Sequence, residues 1–393
     1  MKLWEKGYNP DKTIESFTVG NDHIIDLQLV PYDVAASKAH VSVLQDAGVI
    51  NAAEKEKLIG ELDNILVLWK AGDFRIDVAD EDCHTAIENH LTSKLGELGK
   101  KIHTARSRND QVLTAMRLLE KDRLKKLIAA AGKLHKSLKR MSENYREVPM
   151  PGFTHTRKAM PFTTGKYFMA FADSIEDDMS LAGSVYEMID QNPLGTGAGF
   201  DVPLPLNREI STEELGFAKT MKNSLYAQNS RGKMEAALLF SCSSFLTTLN
   251  RWATDLILFT MPEFEFFSLD DSLTTGSSIM PHKKNPDVLE LIRSSVHRLN
   301  SFIFQVQNTS INLISGYNRD IQLTKEPVLS GLDTTLKCME VSLIVLDGLK
   351  VNTERLQSAM TDELYSVEKV YRMVQQGVPF REAYKVVAEM INK

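Results

Sequence analysis

The sequence predicts an all-α protein built on a bundle of long helices. Apolar residues recur every three or four positions over long stretches, which is the helical period. Proline, which breaks a helix when it lies in the interior, is absent from residues 32–148 and 206–261. Alternating patterns typical of strands are scarce. Helices of this length must bury their apolar faces against one another, so we expect a bundle.

Three long helices account for this expectation. The first is predicted over 112–145, where Lys, Arg and Glu fill most positions outside the apolar stripe. The second is predicted over 238–259 and stops before a proline. The third is predicted to begin at Asn285, as N-cap, and Pro286, with an apolar stripe over 289–306.

Glycine and proline mark where these helices are interrupted. Residues 193–205 and 263–281 are interpreted as the two substantial loops, and long ordered loops in a helical scaffold often carry function. The tail after residue 350 is expected to be helical, with a break at 377–379. The predicted domains are an N-terminal helical domain (1–104), a central long-helix bundle (105–349) and a small C-terminal helical domain (350–393).

Composition narrows the class of protein. With 46 Lys and Arg against 52 Asp and Glu, the net charge is −6, and this balance indicates neither a nucleic-acid nor a membrane partner. No targeting segment and no long uncharged apolar run is present, so a cytoplasmic protein is expected. The three cysteines are far apart and are interpreted as buried thiols rather than a disulfide or zinc set. The glycines of 195–199 lack the spacing of a dinucleotide loop, so no cofactor is predicted.

Three polar segments lie at helix ends, where a bundle would place a site. Residues 104–111 carry arginines and amides at a helix start, which suits a carboxylate ligand. Residues 151–157 place a histidine after a glycine turn, and 275–286 form a glycine-hinged loop with serines and lysines. Taken singly, a solvated cap, a structural histidine and a flexible basic loop explain these segments equally well or better.

Together these segments resemble one family. The run Gly276-Ser-Ser-Ile-Met-Pro-His-Lys-Lys-Asn-Pro286 resembles the signature loop of the fumarase/aspartase superfamily. The run His103-Thr-Ala-Arg-Ser-Arg-Asn-Asp-Gln111 resembles the motif of its argininosuccinate lyase branch. Further segments between Glu81 and Glu382 also resemble motifs of this family, and they occur along the chain in the same order as in the family.

The resemblance implies a fold, an assembly and a reaction. The expected subunit is all-α with three domains. Its long central helices are expected to pack with those of three other copies and to form the core of a homotetramer. The expected reaction is β-elimination, which splits argininosuccinate into arginine and fumarate without a metal or an organic cofactor. The expected site is assembled from three subunits, with His155, Arg108 and Ser277 in different chains. The partner is a small-molecule substrate, with no nucleic acid and no membrane.

The resemblance also implies roles for individual residues. Ser277 is the expected base that removes the proton next to a carboxylate, and Lys283 the cation that stabilises its alkoxide. His155 is expected on the acid side, with Glu290 as the partner that orients it. The fumarate half is expected to contact Ser107, Arg108, Asn109, Thr154 and Asn285. The rest of the substrate is expected to contact Tyr317, Gln322 and Lys325. Four further positions near the site are His84, Glu88, Asp22 and Arg231.

Departures from the family pattern leave alternatives open. Asp22 stands where a serine is usual, and a carboxylate there would repel a substrate α-carboxylate. Asp22 and Arg157 together suggest that the arginine half of the substrate is modified, for example in an N-acylated argininosuccinate. Ala105 replaces a usual glycine. His282 resembles adenylosuccinate lyases, which are the enzymatic alternative, and a crystallin-like structural homologue is the alternative from another class.

Overall fold

The computed structural model describes residues 11–391 and confirms an all-α chain. None of the helices in that range is long and apolar enough to cross a membrane. The helices are α1 Lys12–Val19, α2 Asp22–Ile25, α3 Val30–Asp46, α4 Ala52–Ala71, α5 Cys83–Leu95, α6 Glu97–Lys100, α7 Arg108–Asn144, α8 Thr164–Ile189, α9 Arg208–Glu214, α10 Ser224–Asn229, α11 Lys233–Phe259, α12 Asp287–Ser310, α13 Lys325–Asp347, α14 Thr353–Ser358, α15 Ser366–Gln375 and α16 Phe380–Ile391.

Short strands pair two by two into four small sheets within the described chain. The β1–β2 and β5–β8 pairs are antiparallel, as is β6–β7, whereas β3–β4 is parallel. The strands are β1 Pro149–Thr154, β2 Arg157–Thr163, β3 Gln191–Asn192, β4 Lys219–Thr220, β5 Phe267–Leu269, β6 Thr275–Gly276, β7 Lys284–Asn285 and β8 Leu349–Val351.

The three predicted long helices are confirmed. Helix α7 has 37 residues and covers nearly all of 112–145. The apolar stripe predicted for α11 is buried along its whole length, from Leu238 to Phe259. The predicted N-cap of α12 is wrong by one residue: the carbonyl of Pro286 accepts the first helical bond, from Leu289 at 2.9 Å. Asn285 is instead held in β7, opposite Thr275.

Residues 110–117 of α7 are all buried, which the charged residues of this helix did not indicate. Arg117 and Glu120 are fully buried and lie 2.7 Å apart, and Glu235 of α11 lies 3.3 Å from the same guanidinium. Burial raises the pKa of Glu120 to about 7, while Arg117 opposes the shift. Two carboxylates therefore share one buried guanidinium inside the helical core.

The chain divides into two compact units. The first comprises residues up to Lys126, Ala182–Ser241 and Asn300–Asp333. The second comprises Leu127–Leu181, Cys242–Leu299 and the chain from Thr334 onward. Each unit includes a part of all five long helices, α7, α8, α11, α12 and α13.

The tail follows the sequence prediction. Helix α15 stops at Gln375 and α16 starts at Phe380, so the predicted break at 377–379 is confirmed. The two helices share a small apolar cluster of Val370, Ala383 and Val387. The three cysteines are buried thiols, as expected.

Candidate active site

A cavity of about 130 Å³ in the first unit brings together eight of the predicted site residues. It lies where the starts of α2, α5 and α7 meet the short 3₁₀ helix Arg319–Thr324 that precedes α13. Its wall also includes residues to which the sequence analysis gave no role: Val19, Glu81, Asp82, Val112 and Arg319. The predicted residues in the wall are Asp22, His84, Arg108, Asn109, Arg231, Tyr317, Gln322 and Lys325.

The start of α7 is fixed by a reciprocal cap. Ser107 is the N-cap: its hydroxyl accepts the Asn109 N–H at 3.3 Å, and Asp110 Oδ1 accepts the Ser107 N–H at 2.9 Å. The other oxygen of Asp110 accepts the N–H groups of Gly195 and Gly197, each at 2.9 Å. Both glycines have positive φ, so the loop turns two amides toward one oxygen. The loop after β3 therefore anchors the helix start that presents Arg108 and Asn109.

Acidic side chains orient Arg108. Its guanidinium lies 2.9 Å from Glu81 Oε2 and 3.1 Å from Asp82 Oδ2, and it donates to the Thr85 hydroxyl at 2.9 Å. Glu81 adopts φ 69, in the left-handed region that a side chain disfavours. Nη1 and Nη2 thus each donate one hydrogen bond, to Glu81 and Thr85, whereas Nε lies near Asp82 without a hydrogen bond in the described chain.

His84 and Glu88 lie on α5, and each contacts a different partner. His84 Nδ1 lies 2.8 Å from Asp33 Oδ2, whereas Glu88 lies 3.2 Å from His103 Nδ1. Burial alone would lower the pKa of His84, but the carboxylates of Asp33, Asp82 and Asp26 together raise it. Glu88 thus makes a polar contact between α5 and the 3₁₀ helix Lys101–His103, whereas His84 lines the cavity.

Lys325 is enclosed by two carboxylates. Its Nζ lies 2.8 Å from Asp22 Oδ2 and 2.8 Å from Asp26 Oδ1. Burial would lower the pKa of Lys325, but the two carboxylates raise it overall, so the ammonium persists at neutral pH. Asp22 is therefore bound by a cation rather than standing alone in the wall. The Lys325 ammonium therefore weakens the repulsion that Asp22 would exert on a substrate α-carboxylate. The argument for an N-acylated substrate is weaker for the same reason.

Gln322 and Tyr317 complete this side of the cavity. The Gln322 amide donates to the carbonyl of Thr18 at 3.1 Å, which ties the residues before α13 to the end of α1. The guanidinium of Arg231 stacks 5.1 Å from the ring of Tyr317. Arg231 is only 7% exposed, and its Nη1 has no hydrogen-bond partner in the described chain. A buried guanidinium with a free donor is suited to bind an anion.

One group of residues in the described chain has the donor types of a metal site. Atoms of Asp26, Cys83 and His84 lie within 4.8 Å of one another, and all three residues are buried. Asp26 already binds the Lys325 ammonium, and burial raises the pKa of the Cys83 thiol well above its usual value. Because Asp26 is committed to the Lys325 ammonium and also accepts the Cys83 N–H, these donors are better explained as the surroundings of Lys325.

The second unit carries the predicted acid-side residues on a hairpin that the sequence analysis missed. Thr154 pairs with Arg157, and His155 and Thr156 form the two-residue turn between β1 and β2. Both turn residues have positive φ, at 50 and 58, which is the type I′ geometry usually given to Asn-Gly. Thr154, His155 and Thr156 are exposed at this tip. A β-branched residue at positive φ is strained, and such strain concentrates at functional sites.

The signature loop is held at its base and exposed at its tip. Strands β6 and β7 pair at the base, and Lys284 lies 2.6 Å from Asp271. At the tip, the Ser277 hydroxyl oxygen accepts the N–H groups of Met280 at 3.1 Å and Ile279 at 3.4 Å. Lys283 is exposed, and within residues 11–391 its ammonium makes no hydrogen bond or ion pair.

The chain does not bring every predicted pair together. Glu290 lies exposed in the first turn of α12, and no hydrogen bond or ion pair joins it to His155 in the described residues. The chemistry-bearing residues thus fall into three groups: the cavity of the first unit, the hairpin tip and the signature loop. Glu81, Asp82 and Arg319 could have been found, since they lie inside or beside motifs that carried the family resemblance.

Comparisons with known proteins agree on a family and a fold. A family described as "Lyase" matches residues 8–299. The argininosuccinate lyase of Thermotoga neapolitana is 47% identical over 392 residues, covering 100% of this chain and 98% of that protein. That of Bacteroides fragilis is 42% identical, covering 98% of this chain and 87% of that protein.

Solved structures share the architecture. EDDS lyase in complex with formate aligns with a TM-score of 0.84 at 24% identity, covering 98% of this chain and 76% of that chain. The class II fumarase from Schistosoma mansoni aligns with a TM-score of 0.82 at 16% identity, covering 100% of this chain and 89% of that chain. At these identities the similarity concerns the fold alone.

Proposed function

The chain belongs to the argininosuccinate lyase family, and from that premise we propose that it splits argininosuccinate into arginine and fumarate as a step of arginine biosynthesis in the cytoplasm. The observation that carries the proposal is identity of 47% to an argininosuccinate lyase over the whole chain. The cavity supports it chemically, because its wall offers cations for carboxylates and carboxylates for a guanidinium or an ammonium.

Ser277 is the proposed base. β-Elimination begins when a base removes the proton from the carbon next to a carboxylate, which leaves a carbanion whose charge spreads onto that carboxylate. A serine hydroxyl is a weak base unless its alkoxide is stabilised. Two backbone N–H groups already point at Ser277 Oγ, and the exposed ammonium of Lys283 is six residues further along the same loop. We assign these groups to the alkoxide and to the developing carboxylate charge.

His155 is the proposed acid-side residue. In the second half of the reaction the C–N bond breaks, and the departing guanidinium nitrogen must take up a proton. An exposed imidazole at the tip of a strained turn can reach into a neighbouring site, with Glu290 of another copy as its orienting partner. Proton donation by His155 and proton removal by Ser277 would then balance over one turnover.

The remaining residues hold the substrate. Arg108 and Asn109 are presented at the start of α7, where the helix dipole favours an anion, and we assign them to the carboxylates of the fumarate half. Tyr317, Gln322 and Lys325 line the same cavity and are assigned to the arginine half. The other proposed contacts to the fumarate half are Ser107, Thr154 and Asn285.

We propose a homotetramer with sites shared between subunits. Large apolar side chains lie exposed on three of the long helices: Phe240 on α11 at 60%, Phe304 on α12 at 69% and Ile344 on α13 at 57%. Exposed apolar surface of this kind is typical of protein interfaces. Assembly would also supply Glu290 to His155, since no hydrogen bond or ion pair joins the two within residues 11–391. Dissociated monomers should therefore be inactive.

The test is release of fumarate, followed by ultraviolet absorbance, from argininosuccinate. Ser277→Ala should lower kcat by about 10²- to 10⁴-fold, the usual worth of a general base. Ser278→Ala is the matched control, because it removes a hydroxyl from the neighbouring exposed residue and should keep most of the activity. Equal rates for the two variants would contradict the role of Ser277. Turnover of adenylosuccinate but not argininosuccinate would contradict the substrate.

A further inference from the structure

The imidazole of His155 makes no hydrogen bond or ion pair within the described chain. The side-chain bonds beside it stay within the turn: the Thr156 hydroxyl donates to the His155 carbonyl, and Arg157 donates to the Thr156 carbonyl. A β-bulge between Pro151 and Phe153 also interrupts the ladder below the turn. The position of the imidazole therefore depends on how the strands just below the turn are fixed.

Phe153 anchors β1 on a cluster of aromatic rings. Its ring centroid lies 5.9 Å from that of Phe259 on α11 and 6.2 Å, edge to face, from that of Phe264. Phe259 in turn packs against Tyr167 of α8 at 6.1 Å and Phe267 of β5 at 6.0 Å, and all three are buried. Offset and edge-to-face rings at these distances attract one another. Phe153 therefore rests on a surface that several elements of the second unit build together.

Lys158 anchors β2 at the same level of the hairpin. It is the register partner of Phe153, in the second pair from the turn. Its Nζ donates to the Ala359 carbonyl at 2.7 Å and to the Thr361 hydroxyl at 3.3 Å. Ala359 is the C-cap of α14, where carbonyls lack a helical partner and accept a lysine well. One cross-strand pair is thus fixed on both sides, by the aromatic cluster and by the end of α14.

We propose that Phe153 and Lys158 are positioning residues, which hold the His155 imidazole in place for the proposed proton donation. The inference rests on the proposed function and concerns how the acid-side residue of that reaction is oriented. His155 lies two residues beyond Phe153 along the chain, so a tilt of the anchored pair displaces the imidazole. A displacement of about 1 Å at a reacting group can cost about 100-fold in rate.

The experiment compares variants at the two anchors by the rate of fumarate release from argininosuccinate. Phe153→Leu keeps an apolar side chain but removes the ring, and Lys158→Met removes the ammonium that binds the end of α14. Each should lower kcat by about 10- to 100-fold and change KM by less than about 3-fold. Phe153→Tyr restores the ring and should keep most of the wild-type kcat. Lys158 is exposed, so its variant tests the inference even where Phe153→Leu does not fold.

A double-mutant cycle with His155→Asn separates positioning from general damage. Anchors that act through the imidazole should lower the kcat of the His155→Asn enzyme by less than about 2-fold, whereas damage to the fold lowers kcat equally in both backgrounds. Phe171→Leu is the matched control, because Phe171 packs on Tyr167 at 5.2 Å and makes no ring contact with Phe153 in the described chain. This control should keep kcat within about 3-fold of the wild type.

Three results would overturn the inference. The first is wild-type kcat in either folded anchor variant. The second is an equal fold-loss of kcat with and without His155, because the anchors would then act only on the fold. The third is a Phe171→Leu enzyme that loses as much kcat as Phe153→Leu. In all three cases the wild type still splits argininosuccinate and the proposed function stands. A wild type that does not split argininosuccinate refutes the proposed function, and this inference with it.

Discussion

Asp110→Ala should destabilise the protein more than most single changes to a surface acid. Asp110 is fully buried and accepts three backbone N–H groups, from Ser107, Gly195 and Gly197, each at 2.9 Å. Alanine leaves the two buried glycine N–H groups and the partly buried Ser107 N–H without an acceptor. The start of α7 would lose its cap and its connection to the loop after β3 at the same time.

The magnitude follows from the three donors. An unpaired buried N–H costs about 1–1.5 kcal/mol at the lower end of the usual range, so three cost about 3–4.5 kcal/mol. Burial raises the pKa of Asp110, which shows that holding this carboxylate in its ionised form is itself costly. Removing that cost returns about 1 kcal/mol. We therefore expect a net loss of about 2–3.5 kcal/mol.

The assay is urea unfolding at one fixed protein concentration, since assembly makes stability depend on concentration. Asp110→Asn keeps one acceptor oxygen and should lose about half as much free energy of unfolding. Asp73→Ala is the control, because Asp73 is exposed and its side chain makes no hydrogen bond in residues 11–391, and it should change stability by less than about 0.5 kcal/mol. If Asp110→Ala matches this control, the reasoning is refuted.

Three further changes test other parts of the structure. Ala105 adopts φ 61, so Ala105→Gly should stabilise the protein by about 0.5–1 kcal/mol in the same assay, and a destabilised variant would contradict the strain. Lys325→Met leaves two carboxylates without their ammonium and should cost about 3–5 kcal/mol, of which an added Asp26→Asn change should restore a part. The pKa of His84 is raised above 6.5, so its pair with Asp33 stabilises the fold fully below that pH and progressively less as pH rises through the raised pKa. The urea midpoint of the wild type should therefore fall as pH rises through that raised pKa, and His84→Asn should flatten that dependence.

The sequence determined the helical architecture because helix formation is encoded locally. A repeat of apolar residues every three or four positions fixes which face is buried, and the stripe of α11 is buried from Leu238 to Phe259 as that rule requires. Proline and glycine marked the break after α15 for the same local reason. The motifs also selected eight residues that one cavity brings together. The three-domain division and the roles of the site residues stay predictions.

Tertiary structure decided which partner each charge finds. Nothing in the local sequence pairs Lys325 with Asp22, three hundred and three residues away, or sets Asp110 against the amides of two glycines in a distant loop. The β1–β2 hairpin was missed because its turn carries His155 and Thr156 where a type I′ turn usually has Asn-Gly. A buried charge needs a partner, and the fold alone determines which partner is near. The sequence therefore predicted candidate site residues, and the fold determines which charges lie beside them.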